Sequence, residues 1–540
     1  MIKVFKNFFV LSTISILIPF ISFINSNTQY HYSYSFFTLF ALFLFTIVLI
    51  YSTSILIYFF FKKISFKKIN LTISVIFFIF FYIYTLFKDL LINITLHYSA
   101  EISLLASLII LILFIKNKYF KTFILTYIFI IFVFNLTIVV TNIIKTSSNS
   151  DIYKKVDMVN EEGIIYLKKN KKKNIYLVIL DNAISIDKFD KYYNTNYFSQ
   201  YKSKFEELDF KFIKNTNSAY MDTHHNFTSF FFMDYHINKN NYKNYSTFNL
   251  YPHILSNKYT EKMPLYSNLD KMNYKILWFD NSINDCAGYN VDYCSGNINK
   301  PFSENFTDNK KSINYSNINI INVFLNRSPI LPIFNKSINL LGYAKPERLY
   351  DIRKNDVLNT FMKKMNNINF KNKGYFFLLH NLIPHDPYSF NSDCTLKENP
   401  LKEWGNIQIS KGGDVMGYKD NYECMLKRVD EFVNFINKND PDANLIIMSD
   451  HGTNIKDFFY LRFDTFALVK MGKKCKKKIS SNLNFPNAAR LLIKCSVGQT
   501  PDLVKKQSIY VTYEKGNIEI GGKFKFSEVD TSDDYSYLFK

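Results

Sequence analysis

The six cysteines of this 540-residue chain include no Cys-x-x-C pair, which leaves little ground for a zinc-ribbon reading. No internal repeat is visible. The lysines form no compact patch interleaved with aromatics, although the net charge is +21, so a nucleic-acid partner is not expected. A dispersed excess of that kind reads as solvated surface, with affinity for an anionic membrane surface as the alternative. The chain is rich in Lys, Asn, Ile and Phe throughout, so its Asn-x-Ser/Thr triplets carry no glycosylation reading. The first 145 residues are short of charge, and no small-residue cleavage site follows the first apolar stretch, which argues against a removed signal peptide.

What that first part does contain is apolar sequence in runs at 8–25, 36–61, 70–87, 102–115 and 122–141. A bilayer core needs about 20 helical residues, so these read as about five crossings, the fourth being short. Lys3 and Lys6 precede the first run. Lys62, Lys63, Lys67 and Lys68 separate the second from the third, and Lys116, Lys118 and Lys121 separate the fourth from the fifth. The alternate loops carry no Lys or Arg at 26–35 and only Lys88 at 88–101. The positive-inside rule then puts the N-terminus in the cytoplasm and everything beyond residue 145 outside. All six cysteines lie in that outer part, where an even number suggests disulfides. Nearest-neighbour pairing (286–294, 394–424, 475–495) is the simplest arrangement.

The domain organisation expected is a transmembrane domain over 1–145, a polar linker over 146–173 and an exported domain over 174–540. In the exported part, short apolar runs predict strands at 174–180, 275–280, 374–380, 444–449 and 466–471. Helical patterns fall at 186–206, 348–366 and 418–438, and residues 507–526 read as a β-hairpin turning at Lys515-Gly516-Asn517. Such alternation gives an α/β sheet covered by helices, with ligands outside the carboxyl ends of its strands. Asp181, His380 and Asp450 all fall at such ends.

Four pieces of sequence carry chemistry. The strand Leu445–Ser449 runs into Asp450-His451-Gly452, and Tyr176–Leu180 runs into Asp181. A hydroxyl-bearing turn reads Asp222-Thr223-His224-His225-Asn226-Phe227-Thr228. A third strand leads through His380 to Pro384-His385-Asp386-Pro387. Taken alone, each acid can cap a following turn or helix, Thr223 can serve as an N-cap, and the histidines can be structural. In this order, the pieces resemble the alkaline phosphatase superfamily, and within it the membrane-anchored phosphoethanolamine transferases. The resemblance implies that Asp181, Thr223, Asp450 and His451 hold a divalent metal, zinc first and manganese next. It implies that Thr223 is the nucleophile, with Thr228 five residues on, and that His385 and His380 contact substrate. Where those transferases carry a further histidine after Asp-His-Gly, this chain has Lys456 and Arg462. Arg462 is then the cation expected to clamp phosphate.

Other departures are Asp181 in place of Glu and Met221-Asp222 in place of Cys-Gly. The Cys-x-Pro-x-Arg type of motif that a sulfatase needs is absent around Thr223. His224 and His225 are open to surface, packing or metal roles. The implied reaction moves phosphoethanolamine from a phospholipid, phosphatidylethanolamine, to lipid A or a glycan of the cell envelope through a phospho-threonine. The implied location is a bacterial inner (cytoplasmic) membrane, with the catalytic domain in the periplasm or outside. A glycerol-phosphate transferase, a phosphoesterase and an inactive scaffold are the alternatives.

Overall fold

The computed structural model describes residues 8–26, 36–60, 64–90, 110, 118–148, 156–237, 263–279, 291–294 and 524–529, and, with short gaps, 356–397 and 415–513. The chain divides into two compact units, residues 1–151 with 314–346 and residues 152–313 with 347–540.

The first unit is helical: α1 (Phe8–Ser26), α2 (Phe36–Phe60), α3 (Phe66–Leu90) and α4 (Lys118–Ser148). These contain the expected runs at 8–25, 70–87 and 122–141 and the run at 36–61 as far as Phe60, residue 61 lying outside the described residues. The run at 102–115 lies outside the described residues, apart from Ile110. Leu11, Ile14 and Ile18 of α1 pack with Leu71, Val75 and Phe78 of α3 and with Ile124, Leu125 and Ile128 of α4. A buried polar chain runs through this apolar surround. Ser12 Oγ donates to Asn70 Oδ1 (2.6 Å), and Asn70 Nδ2 donates to Ser54 Oγ (3.2 Å), so one amide side chain links α1, α2 and α3. Among the described residues, one helix, at Phe43–Phe60, is long and apolar enough to cross a membrane; the apolar stretches Val10–Ser22 and Thr122–Ile138 are shorter.

The second unit is built on a seven-stranded sheet. Its strands are β1 (Ile175–Leu180), β2 (Lys211–Phe212), β3 (Lys275–Phe279), β4 (Tyr293–Cys294), β5 (Tyr375–Asn381), β6 (Asn444–Ser449) and β7 (Ala467–Lys470). The spatial order is β2-β7-β6-β1-β5-β3-β4. The strands from β6 to β4 run parallel, while β7 and β2 run antiparallel to their neighbours. β1 is buried on both faces, and its side chains alternate between two cores. Ile175, Leu177 and Ile179 join one core; Tyr176, Val178 and Leu180 join the other.

Helix α5 (Glu161–Lys169) lies before β1, in the polar stretch whose composition reads as a connector. Its Leu167 is buried with Met158 and Val159 in the first core. The single helix expected over 186–206 is two, α6 (Ile186–Tyr193) and α7 (Tyr197–Glu207). Asn194 takes the left-handed conformation between them, and Asp190 accepts from the Thr195 hydroxyl and from the backbone N–H of Tyr197 and Phe198. An acid that caps the next helix ends its own, which apolar periodicity does not register.

The remaining helices are α8 (Thr223–Phe232), α9 (Pro264–Lys271), α10 (Val357–Met365), α11 (Val415–Asn439) and α12 (Phe485–Ser496). α8, α9 and α12 cover the first face of the sheet, and α6, α10 and α11 the second. α10 occupies the C-terminal part of the helix expected over 348–366; residues 348–355 lie outside the described residues. A separate hairpin pairs β8 (Ser508–Tyr513) with β9 (Phe524–Val529), and its turn lies outside the described residues. It is anchored through Ile509 N–H to Ala219 O (2.8 Å), just ahead of Thr223.

Two of the three expected disulfides are present, Cys394–Cys424 and Cys475–Cys495. The 286–294 pair falls outside the described residues, since Cys286 and the Cys294 side chain are not among them. Cys394–Cys424 fastens the loop after β5 to α11, beside the Phe390 N–H to Asn421 Oδ1 hydrogen bond (2.9 Å). Replacing Cys394 by Ser releases a loop spanning 30 residues. A loss of about 2–5 kcal/mol in stability is expected, seen as a lower melting temperature and yield with specific activity largely kept.

Candidate active site

Strand register builds this site. Leu180 of β1 pairs with Ser449 of β6 on one side, and Ile179 pairs with His380 of β5 on the other. Asp181 and Asp450 therefore leave adjacent central strands at the same level, with His380 beside them. Asp181 is 4% exposed and Asp450 fully buried. In the turn after β1, Asn182 takes a positive φ of 72° and its N–H donates to Asp450 Oδ1 (3.2 Å), tying the two strand ends together. Asparagine tolerates that conformation better than most residues.

After Asp450 the chain must pass closely under the segment 461–464. Gly452 permits it: a Cβ there would lie 1.8 Å from Leu461 O and 2.7 Å from Asp464 O. The approach is held by Gly452 N–H to Arg462 O (2.8 Å) and Arg462 Nη1 to Gly452 O (2.9 Å). Gly452→Ala should therefore cost about 3 kcal/mol or more, because both obstructing atoms are backbone. Thermal unfolding and metal content should fall together, and an unchanged melting point would refute this account of the glycine.

Thr223 arrives from the opposite side on α8. It is the first helical residue, and Asp222 is the N-cap, accepting from His225 N–H (2.9 Å). The cap role that sequence left open for Thr223 thus belongs to its neighbour, and the threonine side chain turns to the site. Asn226 shapes this entry: its amide donates to Tyr220 O and Asp222 O and accepts from the N–H of Ala219 and Tyr220. Phe227 seats the helix with its ring edge-on to His380, 4.9 Å between centroids.

These elements converge on His451 Nε2. It lies 3.1 Å from Thr223 Oγ1, 3.3 Å from Asp450 Oδ2 and 3.6 Å from Asp181 Oδ1. The other ring nitrogen, Nδ1, sits 2.9 Å from Gly452 O, which can only accept. Nδ1 therefore carries the proton, and Nε2 presents a lone pair to the site. Burial and then the Arg462 guanidinium push this imidazole down to about 3, so it is neutral at ordinary pH.

Burial opposes ionisation of Asp181, but the His385, His380 and His451 imidazoles outweigh it and hold the carboxyl well below its usual range. Burial, and then the facing Asp181 carboxylate, push Asp450 up. Asp181 Oδ1 and Asp450 Oδ2 are buried without a hydrogen-bond partner. Two acceptor-only carboxylate oxygens and an imidazole lone pair aimed together cannot satisfy one another; a cation between them can. Among the described residues, Asp181, Asp450 and His451 form the one cluster of three metal-ligating residues, their donor atoms lying within 4.8 Å of each other. Tetrahedral zinc, with bonds of about 2.0–2.1 Å, needs donors about 3.3 Å apart. The distances from His451 Nε2 to the two carboxylates and to Thr223 fit that requirement.

His380 is buried, its Nε2 3.6 Å from Asp181 Oδ2. His385 stands nearer the rim, a quarter exposed, with Nδ1 3.1 Å from Asp386 Oδ1. Arg462 is 8% exposed; its Nη1 also donates to Asn182 Oδ1 (3.2 Å) and its Nη2 reaches His451 Nε2 (3.2 Å). Thr228 is buried within α8. His225 turns away into a packed pair, Nδ1 2.8 Å from His236 Nε2. Lys456 and the His224 side chain lie outside the described residues.

Sequence reasoning missed three supports. Asn182 was signalled only by being an Asn after a strand-end acid. Tyr418, whose hydroxyl donates to Asn182 O (3.0 Å), left no local signal. Nor did Asp464, which accepts Ser185 N–H (2.6 Å) beneath the same turn.

Fold and site together define an α/β protein with a cluster of metal-ligating groups, and a hydroxyl beside it, at the carboxyl ends of its central strands. The chain matches no protein-family model and no curated protein. Among solved structures it is similar to the integral membrane lipooligosaccharide phosphoethanolamine transferase A (EptA) from Neisseria meningitidis. The identity there is 12% and the TM-score 0.37, over 73% of this chain and 68% of that one. It is also similar to the C-terminal periplasmic domain of EcEptC from Escherichia coli in complex with Zn, at 14% identity and TM-score 0.34, over 62% of this chain and 85% of that one. A second structure of that periplasmic domain gives 13% identity and TM-score 0.32, over 62% and 84%.

Proposed function

We propose that the chain is a metal-dependent transferase that moves phosphoethanolamine from a membrane phospholipid to a cell-envelope acceptor. The supporting observation is the Thr223 hydroxyl, 3.1 Å from His451 Nε2 and beside two buried carboxylates with unpartnered oxygens. Asp181, Asp450, His451 and Thr223 would hold the dication, zinc first and manganese next. Such an ion lowers the pKa of a hydroxyl and neutralises charge at a transferring phosphorus.

This chain's own residues do the rest. Thr223 Oγ is aimed at phosphorus from the first turn of α8, whose dipole favours an anion at that end. As the Oγ–P bond forms, the ester bond to diacylglycerol breaks. His385, at the rim, receives the threonine proton and delivers one to the leaving diacylglycerol oxygen. His380 and Arg462 stabilise the phosphoryl oxygens. An acceptor hydroxyl on lipid A or a glycan then takes the phosphoethanolamine, and Thr223 regains its proton.

The helical unit suits a lipid donor. Phe45, Val48, Leu49, Leu56, Phe59 and Phe60 of α2 are largely exposed, an apolar surface that a soluble unit does not present. Residues 1–145 would form a multi-pass membrane domain and 174–540 a periplasmic catalytic domain, joined through 146–173; the two disulfides suit that compartment. Reporters fused after residues 30, 65, 95, 118 and 160 should read out, in, out, in, out, and a cytoplasmic signal at 160 would overturn this topology. The activity itself is tested by mass spectrometry of envelope lipids and glycans with and without the protein. Phosphoethanolamine-bearing species should vanish on deletion and return with the wild-type chain, and an unchanged profile refutes the proposal.

A further inference from the structure

Among the described residues of the second unit, four large apolar side chains are exposed: Ile165, Tyr166, Leu396 and Met416. Two of them are neighbours on α5, where Ile165 is 50% exposed and Tyr166 40%. At 3.6 residues per turn, Ile165 stands opposite Gly163 and Leu167, the residues that bury this helix. The helix cannot roll to hide it. A Cβ at Gly163 would lie 3.2 Å from Val497 Cβ, and one at Gly498, where φ is 70°, would lie 2.7 Å from the Tyr166 ring. The two glycines thus let α5 lie close against the turn that ends α12. Asn170 stops the helix, its backbone N–H and its side-chain amide both donating to Tyr166 O.

Charge decides what such a face suits. The residues after Leu167 include Lys168, Lys169, Lys171, Lys172 and Lys173. Lys168, Lys169 and Lys171 are exposed, while Lys172 folds back to donate to Asn273 O (3.1 Å). The acids of the same helix, Glu161 and Glu162, stand at its other end. An aliphatic side chain beside a phenol, bordered by flexible cations, matches a bilayer interface: the aliphatic group enters, the phenol sits at headgroup level and the lysines reach phosphates. The complement of the lysines is an anionic surface. Chain length allows the contact. Residues 149–155 separate the end of α4 from Val156, whose carbonyl is held by Asn268 Nδ2 (2.9 Å). That many extended residues span at most about 27 Å.

We propose that α5 is an interfacial docking helix. Ile165 and Tyr166 enter an anionic phospholipid surface on the outer side of the membrane, and Lys168, Lys169 and Lys171 bind its headgroups. The inference rests on the external location proposed for the chain beyond residue 145, and not on the transfer reaction.

The test uses the full chain, one copy per lipid nanodisc, with a nitroxide on Ile165→Cys. The same label on Glu207→Cys, an exposed position of α7, is the aqueous reference. Accessibility is read with oxygen, which concentrates in lipid, and with a water-soluble nickel chelate. In discs containing phosphatidylglycerol, the oxygen-to-nickel ratio at 165 should exceed that at 207 by about fivefold or more. It should fall by about twofold or more in discs of phosphatidylcholine alone. It should fall likewise in phosphatidylglycerol discs when Lys168, Lys169 and Lys171 are all replaced by Glu. Equal ratios at 165 and 207 would overturn the proposal. So would a ratio indifferent to lipid charge and to lysine reversal, since the contact would then be apolar only. Low accessibility to both reagents would overturn it too, because protein rather than lipid would cover the helix. If Ile165→Cys does not fold, a label on Lys169→Cys, one turn further along the same face, decides. The reporter at residue 160 tests the topology separately, so an external reporter with an aqueous label at 165 sinks this inference alone.

Discussion

Asp450→Asn is expected to abolish bound dication and transfer together while leaving the fold intact. The fold is spared because the change is isosteric and the surviving amide oxygen can still accept what Oδ1 accepts now, the N–H groups of Asn182 (3.2 Å) and His451 (2.8 Å). The loss falls on Oδ2, the buried oxygen without a hydrogen-bond partner. An amide nitrogen there turns donors toward the cation position and removes half of the site's negative charge. Outer partners of a metal site alone cost about 10–100-fold in affinity or activity, so loss of a direct ligand should exceed that, with transfer falling about a thousandfold or more. Binding to the native state stabilises it by mass action. Wild-type protein should therefore melt lower after chelation, and Asp450→Asn should melt at one temperature with or without chelator. Normal metal content in the variant would show the ligand assignment to be wrong.

Thr223→Ala should separate chemistry from metal binding. Asp181, Asp450 and His451 remain, so the dication should be retained. The helix should be retained too, because Asp222 and not Thr223 caps it. An N-cap loss costs about 0.5–2 kcal/mol; the change at Thr223 should cost less, while transfer falls by about a thousandfold or more. Wild-type protein given a labelled phospholipid donor and no acceptor should accumulate a phospho-head-group adduct on the peptide carrying Thr223. Thr228 and Ser229 share that peptide, so fragmentation must place the label. Thr228 is buried, and the Ser229 hydroxyl donates back to Asn226 O (2.7 Å), whereas the Thr223 hydroxyl lies 3.1 Å from His451 Nε2. A label at Thr228 would shift the nucleophile by more than one helical turn. Transfer that persists with no adduct under any condition would replace the covalent intermediate by direct displacement.

Several features were settled within short stretches of chain. Apolar runs such as Leu445–Ser449 mark a strand buried on both faces, and the acids that follow such runs, Asp181 and Asp450, stand at the carboxyl ends of adjacent strands, beyond the packed faces of the sheet. The pairing of Cys394 with Cys424 and of Cys475 with Cys495 followed from proximity along the chain. The break at Asn194 did not show, because it depends on how Asp190 spends its oxygens rather than on apolar spacing.

Tertiary structure alone decided which strand ends become neighbours. Asp181 and Asp450 are 269 positions apart, and they meet because β1 and β6 pair in a register that ends both at one level. It decided that Thr223 faces the cluster while His225, two residues on, turns into a buried pair with His236. The rotation of a helix about its axis is set by packing such as Phe227 against His380, and no local pattern encodes it. It also decided that Arg462 lies against His451, because Gly452 lets two backbone segments approach where any side chain would collide.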